Sequence, residues 1–279
     1  MLPDGMATSN RSPFETVAVR RRSFGMTELF NVLLLALFPA AGNFLGGLAA
    51  EFTRTTRKTL SIALHLAAGI IFGVIAIELA PRSFGGAPPW LVGAGFLLGA
   101  GFYLLLDSLI ARWTSEKPQE AADTLSTAGA AKGGAWMIYA AVAVDLFSDG
   151  LLIGVGSSIS FGLALILALG QVTADIPEGF ATIANFKDKG VPRSRRLLLS
   201  ASFLVPVLAG ALISYFVLRD AAETMQLTAL AFTAGLLLIA ASEEIIGEAH
   251  EAVCDTKSAT FATAVGFVIF ALVASYFEA

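Results

Sequence analysis

Apolar residues in this chain run in long uninterrupted blocks rather than in an alternating or amphipathic pattern. Residues 29–50, 59–77, 88–106, 197–218, 225–242 and 258–277 contain no Asp, Glu, Lys or Arg. A helix needs roughly 20 mostly apolar residues to cross about 30 Å of hydrocarbon, and each of these blocks is close to that length. The apolar region 133–186 is too long for one crossing. Its Ser157-Ser158-Ile159-Ser160 segment can supply a tight turn and divide it into two helices. The pattern therefore predicts eight spans, at about 28–50, 59–81, 88–111, 134–157, 161–186, 197–218, 225–247 and 258–277.

The blocks are apolar all round and about twice the length of a membrane β-strand, which excludes a barrel. The expected fold is an all-α integral membrane protein, an eight-helix bundle over 27–279 in one transmembrane domain. Residues 1–26 form a polar, flexible N-terminal tail, and 114–134 a flexible loop rich in small and polar residues. Glycines at Gly46-Gly47, Gly93/Gly95, Gly99/Gly101 and Gly154/Gly156 suit close helix packing in lipid.

Composition strengthens this reading. Of the 279 residues 56% are hydrophobic and only 14% charged, with a mean hydropathy of +0.75, whereas soluble domains average about 25% charged. The single cysteine, Cys254, excludes an intrachain disulfide and a Cys-type zinc site. No secretory signal precedes the first span. No phosphate-binding Gly-x-x-x-x-Gly-Lys-Ser/Thr loop is present, which argues against ATP-driven pumping within this chain. Nothing in the charge pattern points to nucleic acid.

Lys and Arg set an orientation. Twelve of the 18 fall after spans one, three, five and seven, and six on the other side, four of those in the N-terminal tail. The majority places the twelve in the cytoplasm and both termini outside the cell (inner) membrane.

The informative residues are carboxylates in the wrong solvent. Asp145 and Asp149 fall in the fourth span, and Asp175 and Glu178 in the fifth. A carboxylate at mid-bilayer costs about 2.5–3.5 kcal/mol on insertion scales, so its presence asks for a compensating cation, proton or water. Asp145 and Asp149 are one helical turn apart on one face. Gln171, Asp175 and Glu178 follow the i, i+4, i+7 spacing of another face. At 1.5 Å per residue, Asp145 and Asp175 each lie roughly 16 Å from the inner ends of their antiparallel helices, with Asp149 further out and Glu178 further in, so the four carboxylates are expected to form a short ladder along the membrane normal. Pro177 cannot donate an N–H and is expected to kink the helix and free the carbonyl of Thr173, which serves either as a further cation ligand or water anchor, or the kink serves packing alone. No Lys or Arg lies within these spans. Carboxylate, amide and carbonyl oxygens are hard ligands that suit divalent cations such as Mg²⁺, Mn²⁺ or Ca²⁺, and Zn²⁺ also accepts Asp and Glu. Protonated acids in helix–helix hydrogen bonds are the structural alternative. Glu243, Glu244, Glu248 and His250 near the inner end of the seventh span form a possible cytoplasmic exit site or a solvated helix end. Glu78 and Asp107 fall near span ends, and His65 reads as a satisfied packing residue.

These residues resemble motifs of the ZIP family of metal transporters. Asp175-Ile176-Pro177-Glu178-Gly179 is similar to the family's fifth-helix motif, His/Gln-Glu/Asp-x-Pro-Glu/His-Gly. Asp145 to Gly150 resembles the fourth-helix His-Asn-x-x-Asp/Glu-Gly, and Glu243 to Glu248 resembles the stretch closing the seventh helix in bacterial members. Asp107 fits the end of the third. The resemblance implies an eight-helix bundle, usually a homodimer, with a metal site between the fourth, fifth and sixth helices. It further implies no enzymatic activity, no resident cofactor, and carriage of Zn²⁺, Fe²⁺, Mn²⁺ or Cd²⁺ into the cytoplasm by an elevator-like motion. Asp145, Leu146, Ala174 and Val205 stand where the family commonly carries His, Asn, His/Gln and Glu. Three functions are thus open: a divalent cation carrier, a transport-inactive regulatory or assembly protein, and an intramembrane hydrolase using paired aspartates. The last lacks the Gly-x-Gly-Asp pattern of intramembrane aspartyl proteases.

Overall fold

A computed structural model describes residues 13–53, 56–115, 127–247 and 257–278. The described residues form helices and contain no strand. Eight helices are long and apolar enough to cross a membrane, so the chain is a multi-pass α-helical membrane protein. We number them α1 (Pro13–Phe52), α2 (Arg57–Gly86), α3 (Pro89–Ser115), α4 (Thr127–Ile159), α5 (Phe161–Asp188), α6 (Arg193–Leu218), α7 (Glu223–Glu243) and α8 (Lys257–Glu278).

The helices exceed the expected spans at several ends. Pro13 to Gly25, assigned from sequence to the polar tail, are helical and continue into α1. The polar loop narrows similarly: α3 reaches Ser115 and α4 starts at Thr127, while 116–126 lie outside the described residues. The turn between α4 and α5 falls where the serines predicted it. It is one residue long: Ser160 is extended, and its Oγ accepts a hydrogen bond from the Leu163 N–H at 3.1 Å, capping α5. α6 is interrupted at Phe203. Pro206 has no N–H to give to the carbonyl of Ser202, one turn back, and the helix restarts there.

Two of the crossing helices widen by an extra residue per turn. A π-helical turn occupies Val74–Leu79 in α2, and another, Ala241–Ile245, continues α7. The first contains Glu78. It is fully buried rather than near solvent at a span end, and its Oε2 accepts from Arg82 Nε at 2.8 Å. A cation one turn along the same helix thus answers this acid internally. Asp107 is exposed at the end of α3, as expected, and His65 is buried with Nδ1 2.8 Å from the Ser61 carbonyl oxygen.

The most extensive contacts join α1 to α5, α4 to α6, α2 to α8 and α3 to α7. Lipid tails are as apolar as leucine, so helices in a membrane gain little from hydrophobic burial and associate by close packing of small residues. All four pairs follow that rule. A Cβ at Gly46 of α1 would fall on the Ile176 carbonyl of α5, and one at Gly150 of α4 on the Val207 carbonyl of α6. Gly69 of α2 faces Thr263 of α8 in the same way, and Gly99 of α3 faces Phe232 of α7. The sequence could not separate these from Gly93 and Gly101, around which a Cβ would find open space. Helices α1, α4, α5 and α6 also touch one another, and this group meets the rest through α2 against α5 and α4 against α7.

At one end of the first group, Glu51 of α1 is clasped by Arg196 of α6. Nε lies 2.6 Å from Oε1 and Nη2 lies 2.8 Å from Oε2. Lys187 of α5 donates to the carbonyl of Ala50. The bidentate charge-assisted pair and the lysine contact together tie three helix ends.

The close crossings make a direct prediction. Gly150→Val places side-chain carbons where the α6 backbone runs and costs about 1–3 kcal/mol or more. Gly101→Val, facing open space, changes stability by less than about 0.5 kcal/mol. Thermal melting of the detergent-purified variants checks this, and equal melting temperatures would refute the packing role of Gly150.

Candidate metal centre

Close packing on both flanks fixes the helices that carry the acids. α4 is pressed on α6 through Gly150, Gly154 and Gly210. α5 is pressed on α1 through Gly42, Gly46 and Gly179. With those faces committed to neighbours, the remaining inward face of α4 presents Asp145 and Asp149, and that of α5 presents Gln171, Asp175 and Glu178. All five side chains expected from sequence are buried.

They also meet. One carboxylate oxygen from each of Asp145, Asp149 and Asp175 lies within 4.8 Å of the others. Asp145 is within hydrogen-bonding reach of Glu178, and Asp149 of Asp175. Gln171 Nε2 donates to Asp149 Oδ1. The expected ladder along the membrane normal is therefore a compact cluster, paired across α4 and α5 at two levels.

The cluster is conspicuous for what it leaves unanswered. Asp145 Oδ1, Asp149 Oδ2, Gln171 Oε1, Asp175 Oδ2 and Glu178 Oε1 are buried and have no hydrogen-bond partner among the described residues. An orphaned buried polar atom costs about 1–3 kcal/mol, and more when it is charged. No Lys, Arg or His occurs from Ala135 to Ile159 or from Phe161 to Phe186 to offset these charges. In a medium of low dielectric, four ionised carboxylates cannot stand together without cations or protons. Their donor set of carboxylate and amide oxygens is hard and anionic, the chemistry that binds divalent cations.

Three positions where the resembled family would place ligands do not contribute here. Leu146 is fully buried in an apolar cluster with Ala36, Ala40, Val207 and Ala211. Ala174 is buried and has no polar side chain. Val205 is 68% exposed and faces outward from α6. Of the seventh-span group, only Glu243 has a described side chain. Glu243 is exposed, and the side chain of Glu244, together with Glu248 and His250, lies outside the described residues.

The structure adds one polar residue that the sequence reading passed over. Asn43 of α1 is fully buried, and both its Oδ1 and its Nδ2 have no partner among the described residues. It sits in a charge-free apolar stretch, where a lone amide gives no periodic signal; only its polarity in an otherwise apolar span could have marked it.

A cavity of about 600 Å³ opens at one end of the same helix group. Its lining includes Thr27, Glu28 and Asn31 of α1, Ser157 to Phe161 at the α4–α5 turn, and Tyr215 and Arg219 of α6. Tyr215 donates a hydrogen bond to Glu28 at 3.2 Å. Asp149 lies eight residues along α4 from Ser157, roughly 12 Å at helical rise. The cavity thus gives a polar approach to within a few turns of the cluster.

No family model and no curated protein matches the chain.

Charge relief in the cluster is measurable. Asp149→Asn keeps Oδ1 as the acceptor for Gln171 while removing one charge. In the presence of chelator it raises stability, by on the order of 1–3 kcal/mol. Thermal unfolding in EDTA reads the change directly, and a lower melting temperature for Asp149→Asn would contradict the picture of uncompensated charge.

Proposed function

We propose that the protein carries divalent metal cations toward the cytoplasm through the site formed by Asp145, Asp149, Gln171, Asp175 and Glu178. The observation that carries this reading is the buried four-carboxylate cluster with unpartnered oxygens and no cationic residue in the helices that hold it. Such a group is costly to keep unless a cation visits it. The resemblance of these segments to ZIP transporter motifs supports the same reading. On this proposal the membrane is the cell (inner) membrane, and the chain forms a homodimer.

The lysine and arginine distribution supports an orientation with both termini outside. The Glu28-containing cavity then faces the extracytoplasmic side. A cation enters there, exchanges hydration water for carboxylate oxygens at mid-membrane, and leaves inward when the helices rearrange. On this proposal α1, α4, α5 and α6, which all touch one another, move as a group against the others. The cytoplasmic exit passes the end of α7, near Glu243, Glu244, Glu248 and His250.

Leu146, Ala174 and Val205 favour a second reading, a ZIP-like protein that has lost transport and serves as a regulatory or assembly partner in the membrane. Uptake assays separate the two. Proteoliposomes holding the wild type are expected to take up at least one of Zn²⁺, Mn²⁺, Fe²⁺, Cd²⁺ or Mg²⁺. Asp149→Ala and Glu178→Ala abolish that uptake while the purified proteins remain folded. No uptake of any ion by folded wild type would decide for the regulatory reading. Full uptake by both variants would remove the site assignment.

A further inference from the structure

Asn43 is a buried polar side chain of α1 that the cation site as described does not use, and its surroundings place it at that site. Its own Cα and carbonyl lie against Gly179, the neighbour of Glu178. The adjacent Gly42 lies against Asp175, where a Cβ would come within 3.1 Å of the Asp175 Cβ. One turn back on the same face of α1, Ala40 packs with Leu146, the neighbour of Asp145, and with Val207 of α6. Gly47, one turn further on, reaches Ser200 at the start of α6. Asn43 therefore falls between these contacts, at the level where Asp145 of α4 approaches Glu178 of α5, on the face of α1 turned inward.

At that level the amide is sealed from solvent, and both of its polar atoms lack partners among the described residues. An amide buried for structural reasons is expected to be hydrogen-bonded to the backbone or to another side chain. This one is not, and it adjoins a group of carboxylates whose own oxygens are also unpartnered. With Asn43 Oδ1 counted, three helices contribute six unpartnered side-chain oxygens, on Asn43, Asp145, Asp149, Gln171, Asp175 and Glu178, and one oxygen each of Asp145, Asp149 and Asp175 lies within 4.8 Å of the others. No nitrogen or sulfur ligand accompanies them. A set of six oxygens matches octahedral Mn²⁺ or Mg²⁺ coordination, whereas Zn²⁺ settles for four ligands and favours His and Cys.

We propose that Asn43 on α1 is a ligand of the cation held by α4 and α5, its side-chain oxygen completing a six-oxygen set that favours hard six-coordinate cations of the Mn²⁺ class over Zn²⁺. The inference rests on the metal-carrier reading of the cluster. It makes α1 part of the binding site, so that the site spans three helices of the group rather than two.

The test is Mn²⁺ and Zn²⁺ binding by full-length protein in lipid nanodiscs, by calorimetry, for wild type, Asn43→Leu, Asn43→Asp and Asp149→Ala. Leucine copies the shape of the amide without its polar atoms, and aspartate keeps the oxygen. Asn43→Leu is expected to weaken Mn²⁺ binding by about tenfold or more. Zn²⁺ affinity should change by less than about threefold, since five other oxygens remain for an ion that takes four ligands. Asn43→Asp retains Mn²⁺ binding, and Asp149→Ala loses both ions. In chelator, Asn43→Leu is expected to melt at a higher temperature than wild type, because an unpartnered amide has been removed; a residue with a purely structural role would give a lower one. Unchanged Mn²⁺ affinity in Asn43→Leu, with Asp149→Ala inactive, overturns the role of Asn43 and leaves the carrier site standing. Equal losses of Mn²⁺ and Zn²⁺ in Asn43→Leu overturn the selectivity. Absence of binding to the wild type by either ion overturns both this inference and the reading beneath it.

Discussion

Negative charge held in a low-dielectric interior is the constraint around which the rest of this molecule is arranged. Asp145, Asp149, Asp175 and Glu178 are each less than a tenth exposed, with no Lys, Arg or His in the crossing parts of the helices that carry them. Left to themselves these groups would repel one another and draw water, and the helices would part. The glycine crossings prevent that. α4 is held on α6 and α5 on α1 by contacts in which backbone meets backbone, leaving no slack for the carboxylates to separate. The same tight packing that a membrane requires for helix association is therefore what preorganises the acidic cluster. Elsewhere in the fold charge is settled locally. Glu78 has Arg82 one turn away, and Glu51 has the guanidinium of Arg196. Against those two, the buried cluster on α4 and α5 stands out as an acidic group that no cationic residue in its own crossing helices answers.

The sequence made the architecture legible because the solvent is hydrocarbon. Backbone groups must be satisfied within each segment, so an apolar run of about 20 residues can only be a helix, and counting runs counts helices. The division of 133–186 was readable for a related reason: Ser160 is a residue type that caps helices, and it caps α5. The candidate site was readable through charge and spacing. Asp145 and Asp149 at i, i+4 and Gln171, Asp175 and Glu178 at i, i+4, i+7 must share faces of their helices, and acids are rare enough in spans to be noticed singly.

What was not legible depends on contacts between segments distant in the chain. Hydropathy marks where a membrane crossing ends but not where the helix does, so Pro13 to Gly25 read as tail although they are helical. Glu78 read as a span-end acid because the π-helical turn that buries it, and its ion pair with Arg82, are three-dimensional facts. Asn43 was invisible for a different reason. A neutral amide breaks no charge-free run and has no periodic companions on α1; its meaning arises only from Gly179 and Asp175, more than 130 residues along the chain. Among the glycines, only the partner backbone distinguishes Gly99, which has no room for a Cβ, from Gly101, which has.

Charge arithmetic connects the cluster to the way a cation would be moved through it. One divalent ion answers two of the four carboxylates, and the remaining two are still buried at the same place. They must hold protons or share a second cation, since a net charge of two at mid-membrane would reinstate the cost that binding relieved. Release inward then reverses the balance: as the ion departs, protons or water must return to the oxygens it leaves. On the proposed reading, a site made only of carboxylates and amides would couple the passage of a metal ion to the movement of other charge more tightly than a site of neutral histidines would, because every ligand exchange would alter the electrostatics of the helices themselves. If the proposed carrier reading holds, Asp145, Asp149, Asp175 and Glu178 would trade protons for metal, with Gln171 and Asn43 as uncharged members that hold position through the exchange.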